Sequence, residues 1–174
     1  RSNPGGPFGG SATQYFVGTF DGKRFVNESP AVTKWMDWGK DHYATVCFSN
    51  TGDRVIAVPW MSNWQYAANT PTERWRGATT LPRQFRLVNT DDGIRLVQEP
   101  VAAMTKLRQP IGTWDNVTVE GDMLLDGVQG RTLEIIAEIE PGSAERFGID
   151  VQRGADNKTR IIYNNPASKL FISR

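Results

Sequence analysis

Apolar and polar residues alternate with a period of two along most of this chain, the spacing that turns one face of a strand to a core and the other to solvent. Residues 15–20 and 23–26 flank Asp21-Gly22, a dipeptide that reaches positive φ at little cost and so favours a tight hairpin turn. Residues 42–49 and 54–60 flank Asn50-Thr51-Gly52-Asp53 and predict a second hairpin. Residues 85–88 and 94–98, on either side of Asn89-Thr90-Asp91-Asp92-Gly93, predict a third. Further strands are predicted at 116–120, 131–140, 149–154, 159–164 and 169–173. The stretch 131–140 alternates only in part, through Leu133, Ile135, Ala137 and Ile139. Helical spacing is weak throughout, with 100–107 the best short candidate. The pattern predicts an all-β chain.

The character of the strands changes across residues 88–110. Before that point Trp, Tyr, Gly and Pro are dense, and five of the six tryptophans lie between Trp35 and Trp75. After it come plainer strands with polar turns, as in β-sandwiches. This predicts one domain over 1–88, a connector over 89–110 and a second domain over 111–174. The strand pattern of 169–174 has no turn or partner after it, and the Gly/Pro-rich stretch 1–10 runs straight into a strand. Both are expected of an internal slice of a longer protein.

Composition narrows the chemistry. Of 174 residues, 39% are hydrophobic and 22% charged, so the material is globular. The formal net charge of +1, with both signs mixed, argues against nucleic acid as a partner. No apolar run is long enough to predict a membrane span, and residues 1–14 lack a signal-peptide core. Cys47 is the only cysteine and His42 the only histidine, so an internal disulfide, a zinc site and a Cys/His nucleophile pair have no materials. No cofactor is implied. Cys47 is expected to be a buried free thiol within a strand.

The densest chemistry lies in residues 35–77. Trp35-Met36-Asp37-Trp38-Gly39-Lys40-Asp41-His42-Tyr43 is followed by Trp60-Met61-Ser62-Asn63-Trp64-Gln65-Tyr66 and by Glu73-Arg74-Trp75-Arg76-Gly77. Sugar sites use this mixture, because aromatic faces pack on the C–H face of a sugar ring while amides, carboxylates and guanidinium groups bond its hydroxyls. Each residue also has a simpler explanation. A single Trp in an all-β protein is more often packing than ligand contact. Asp21 is explained by hairpin chemistry alone, and Asp53, Asp91, Asp92, Asp122 and Asp126 read as turn residues beside glycine. His42 reads as a satisfied packing residue. Lys40 reads as solvated unless it pairs with Asp37 or Asp41.

In order, the chain carries Asn3-Pro4-Gly5-Gly6-Pro7, then Gly10-Ser11-Ala12-Thr13-Gln14-Tyr15-Phe16-Val17-Gly18, Asp37-Trp38-Gly39-Lys40-Asp41 and Trp60-Met61-Ser62-Asn63-Trp64-Gln65-Tyr66. Pro71-Thr72, Trp75-Arg76-Gly77-Ala78 and Leu81-Pro82-Arg83 follow. This succession resembles glycoside hydrolase family 32, and most closely its exo-acting levanase, inulinase and invertase branch. The likeness is strong over 1–100 and weak beyond.

The resemblance implies the last part of a five-bladed β-propeller over 1–88 and the first part of a β-sandwich over 111–174. It implies a retaining glycosidase that releases fructose from fructans or sucrose through two carboxylates. The family's nucleophile, stabilising and acid/base motifs do not occur here: no Arg-Asp-Pro is present, and Val46 rather than Glu precedes Cys47. The chain alone is therefore expected to be inactive, with those carboxylates upstream. By the same resemblance Asp21, Asp37, Tyr43, Trp60 and Trp64 are expected to contact substrate. Trp38 and His42 stand where Tyr and Phe are common in the family, and Ser62 where Asn is. An extracellular or periplasmic enzyme is implied, with its targeting segment outside this sequence. Two alternatives are a non-catalytic carbohydrate-binding β module and part of a fructosyltransferase.

A slice of a propeller bares strand edges and apolar faces that neighbouring blades would cover. The chain should therefore associate with itself or rearrange. Light scattering across a concentration series should show mass rising with concentration, and a constant monomer mass would contradict this.

Overall fold

Three turns rich in Asp, Asn and Gly each close a pair of antiparallel strands. The computed structural model describes residues 5–154 and 156–173. Of the motif at 3–7, Asn3 and Pro4 lie outside the described residues, as do Ala155 and Arg174. The chain is all-β, with no α-helix among the described residues. It divides into two units, Arg1–Gln109 and Pro110–Arg174.

In the first unit, strand β1 (Gln14–Tyr15) pairs with β4 (Lys34–Trp35), and β2 (Gly18–Phe20) pairs with β3 (Phe25–Asn27) across Asp21-Gly22. The stretch predicted as one strand over 15–20 thus breaks and changes partner midway. Four strands form the main sheet in sequence order: β5 (Tyr43–Cys47), β6 (Val55–Trp60), β7 (Arg83–Thr90) and β8 (Gly93–Pro100). Strands β7 and β8 pair along their whole length, from Arg83 opposite Pro100 to Thr90 opposite Gly93. Part of the segment expected as connector is therefore strand. Residues Ala102–Leu107, the best helical candidate, form a short 3-10 helix. Pro59 has no N–H to donate, and it sits beyond the β6–β7 ladder, which ends at Ala57 opposite Arg83. Its carbonyl still accepts from Thr80 N–H at 3.0 Å.

The interior of this unit is unusually polar. The buried hydrophobic residues are small, namely Ala12, Val17, Ala57 and Ala67, whereas Ser11, Thr13, His42, Ser62, Asn63 and Thr80 are buried as well. Buried polar groups destabilise a fold unless they bond each other. Asn63, with no exposed surface, meets that demand four ways. Its Oδ1 accepts from Ser11 N–H at 3.3 Å and Gln65 N–H at 3.0 Å. Its Nδ2 donates to the carbonyls of Ser11 at 3.1 Å and Lys40 at 2.9 Å. Trp64 N–H completes the clasp by donating to Ser11 Oγ at 3.2 Å. Gly10 makes the approach possible. It sits at φ +72, and a Cβ there would fall 2.1 Å from Asn63 Oδ1.

In the second unit, β9 (Arg146–Val151), β10 (Thr159–Asn164) and β11 (Lys169–Ser173) form one antiparallel sheet with β10 central. The register puts Phe147, Tyr163 and Leu170 on one row and Ile149, Ile161 and Ile172 on the next, so one face is apolar. Asp150 on the other face pairs with Lys158 at 2.5 Å and Arg160 at 3.2 Å. The strands expected at 116–120 and 131–140 are not formed. Those segments carry strand-like residues, but a strand needs a neighbour to take its N–H and C=O groups. Among the described residues no strand pairs with them, and Ile136 is left 80% exposed.

Asn63→Leu keeps the volume but strands two N–H groups and two carbonyls. We expect it to lower unfolding free energy by about 3 kcal/mol, read as a lower urea midpoint. An unchanged midpoint would mean the clasp contributes nothing to stability.

Candidate functional site

The end of β6 and the start of β5 bring together residues far apart in sequence. Tyr43 stands opposite Trp60 in the ladder, and the register shifts between Tyr43 and Val46. Ala44, inside that bulge, adopts φ +49, a conformation rare for a residue with a side chain. Their rings lie 6.4 Å apart at 56°. Trp64 then comes to 5.0 Å from Trp60 at 55°. These tilted geometries are ones that aromatic pairs favour. Three of the five predicted site residues therefore form one aromatic group, and Trp64 leaves 61% of its surface open.

Trp60 is held from the far side by residues 77–80. It bridges to Thr79, and Met61 N–H donates to Ala78 carbonyl at 2.8 Å. Gly77, at φ +78, leaves room for the indole, since a Cβ there would lie 2.5 Å from Trp60 Nε1. Asn63 holds the other arm, because its clasp fixes the backbone of both Trp64 and Gln65.

Asp37 belongs to a separate network. Its Oδ1 accepts from Gly39 N–H at 2.7 Å, and its Oδ2 receives Arg83 Nη1 at 2.9 Å. Arg83 Nη1 also reaches Gln98 Oε1 at 3.2 Å, and Gln98 Nε2 donates to Met36 carbonyl. Burial alone would raise the Asp37 pKa. Hydrogen bonds from Arg83 and Gly39, with the charges of His42 and Arg83, outweigh it and hold the carboxyl below its ordinary value.

Asp21 stands apart. Its carboxylate accepts from Arg24 N–H at 2.7 Å and Lys23 N–H at 2.8 Å, which close the hairpin and keep its pKa low. Lys40, read as solvated unless paired with an aspartate, instead donates to Gln65 Oε1 at 3.0 Å. Asp41 accepts from the Tyr66 hydroxyl, whose pKa burial and this bond push up to about 12.

Two expectations need correction. Cys47 is exposed rather than buried, because the last residues of β5 turn outward with nothing over them among the described residues. His42 is buried, with 2% of its surface exposed, but neither ring nitrogen meets a hydrogen-bond partner among the described residues. It packs without being satisfied.

Asn63, Arg83 and Gln98 hold the site together, and alternation alone did not single them out. The signal for Asn63 and Arg83 lay in Ser62-Asn63-Trp64 and Leu81-Pro82-Arg83, where a polar residue sits beside a strand end; Gln98 carried none.

Residues 2–100 match the glycosyl hydrolases family 32 N-terminal domain, and residues 102–174 match the family 32 C-terminal domain. A levanase of Bacillus subtilis (strain 168) is 42% identical over 174 residues, covering 95% of this chain and 26% of the levanase. An extracellular exo-inulinase of Aspergillus awamori is 33% identical over 186 residues, covering 99% of this chain and 35% of its own length. Among solved structures, a fructofuranosidase variant of Schwanniomyces occidentalis complexed with fructosylnystose superposes with a TM-score of 0.66 at 30% identity. That match covers 99% of this chain and 37% of the other. The chain thus spans about a quarter to somewhat over a third of these relatives.

Burial lowers the His42 pKa below its ordinary 6.5; the Asp37 carboxylate opposes the shift, and Arg83 adds to it. The unfolded chain therefore takes up this proton more readily than the folded one. The stability His42 contributes is complete above pH 6.5 and is lost as pH falls through the lowered folded value. Asp37 acts in the same direction further down, below 3.8. In His42→Phe the fall in melting temperature that the parent shows as pH drops below 6.5 should be smaller. Parallel curves for the two proteins would refute this.

Proposed function

The chain belongs to glycosyl hydrolases family 32, and on that premise we propose that it supplies one wall of a sugar pocket in an enzyme releasing fructose from fructans or sucrose. The observation that supports this most is the aromatic group of Tyr43, Trp60 and Trp64, clamped from two sides and open at Trp64. A rigid aromatic face of this kind suits the apolar side of a furanose ring. The relatives named a levanase and an exo-inulinase, and the fructofuranosidase bound to fructosylnystose, point to fructosyl units as what the wall receives.

In this proposal residues 1–88 are the last part of the catalytic propeller, 89–110 lead out of it, and 111–174 begin a β-sandwich. Asp37 and Asp21 are further substrate-contacting carboxylates in this proposal, carried by the resemblance alone, since Asp37 pairs with Arg83 and Asp21 closes its own hairpin. The nucleophile and acid/base of a retaining mechanism come from residues outside this chain. As part of a family whose relatives include extracellular enzymes, the parent protein is proposed to act outside the cytoplasm.

Fructose release from levan, inulin and sucrose, measured for the chain beside its full-length parent, tests this. The chain should be silent and the parent active. In the parent, Trp64→Ala should raise KM by roughly tenfold, as expected for losing an aromatic face against a sugar. Turnover by the chain itself, or an unchanged KM in the variant, would overturn the assignment.

A further inference from the structure

The ladder of the second unit turns alternate residues of β9, β10 and β11 to one face. On the face opposite the apolar one, three rows cross the sheet. Arg146, Asn164 and Lys169 form the first row, Gly148, Ile162 and Phe171 the second, and Asp150, Arg160 and Ser173 the third. The outer rows are separated by about 13 Å, at the usual rise of a strand. Lys158, just ahead of β10, joins this face through its ion pair with Asp150.

Four cations therefore share a face with one carboxylate, whereas the whole chain has a net charge of only +1. Asp150 is divided between Lys158 and Arg160. Arg146 and Lys169 are exposed, and among the described residues neither has a carboxylate partner. The row between the charged ones is apolar, with Phe171 50% exposed. Gly148 adds no side chain, so that row stays open on its β9 side. An open aromatic ring between rows of cations suits a polymer with apolar ring faces and a repeating negative charge. Sugar rings offer C–H faces to an aromatic side chain, and uronate carboxylates accept hydrogen bonds from guanidinium and ammonium groups. Duplex nucleic acid carries one charge per about 1.7 Å of axis, against which cations in rows this far apart are sparse. A neutral fructan would gain nothing from the cations.

We propose that this face of the second unit is a docking surface for an acidic polysaccharide, taking uronate carboxylates on Arg146, Arg160 and Lys169 and a ring face on Phe171. It uses no residue of the aromatic wall, and it holds whether or not that wall receives fructosyl units.

Binding of the chain to immobilised polygalacturonate, read by biolayer interferometry, tests it. The same polymer with its carboxyls methyl-esterified is the neutral control, and single-stranded oligothymidylate is the competing polyanion. The acid polymer should bind at low ionic strength and weaken as salt is raised, and the esterified one should not bind. Arg146→Ser with Lys169→Ser should weaken binding by about tenfold. Phe171→Ser, which changes no charge, should weaken it by about threefold. Lys23→Ser with Arg54→Ser removes two exposed cations from the first unit and should leave binding unchanged. Circular dichroism checks that each variant is folded, and Lys169→Ser alone, at an exposed position, gives a milder form of the first variant. Equal binding of the esterified polymer, unaltered binding by the Arg146 and Lys169 variants, or an equal loss in the first-unit variant would overturn the proposal. Preference for oligothymidylate would overturn it too, as a surface for nucleic acid.

Discussion

One buried carboxamide organises the first unit. Asn63 is closed off from solvent, and its four hydrogen bonds join the chain near Ser11, the loop at Lys40 and the turn at Gln65. Ser11 and Asn63 are 52 residues apart, and Lys40 and Asn63 are 23 apart. Such a knot is favourable only when complete, because each buried N–H or C=O left unpaired costs more than one made bond contributes. Gly10 follows from it: any side chain there would enter the space Asn63 Oδ1 occupies.

The placement of the aromatic wall depends on the same knot. Trp60 ends a strand, Trp64 lies past the turn, and Tyr43 sits across the ladder. Without the clasp, nothing in strand pairing brings Trp64 back over Trp60. The bulge at Ala44 is the second requirement, since it shifts the register beside Tyr43 and Trp60. Strain of this kind is tolerated where surrounding contacts over-determine the backbone. Here the Tyr43–Trp60 ring contact and the bridge from Trp60 to Thr79 supply those contacts.

Elsewhere the balance reverses. Few large apolar side chains of the first unit are enclosed, and many are open, among them Phe20, Trp75 and Leu87. A unit with such a small apolar interior gains little from the hydrophobic effect, so its shape rests more on directional bonds. That explains why the polar residues, rather than the aliphatic ones, mark the centre of the first unit.

Local chemistry in the sequence determined the hairpins, because Asp21-Gly22, Asn50-Thr51-Gly52-Asp53 and Asn89-Thr90-Asp91-Asp92-Gly93 act within a few residues of themselves. The ordered motifs likewise carried the family, since they depend on residue identity and not on distance in space. Only the tertiary structure decided that Asp37 pairs with Arg83, 46 residues away, that Lys40 turns to Gln65, and that His42 is enclosed without a partner. It also decided that 116–120 and 131–140 are not strands, although their alternation resembles that of strands that formed. A turn is a property of its own backbone, whereas a strand or an ion pair belongs equally to a partner elsewhere in the chain, and the alternation of one segment does not say whether that partner is within reach.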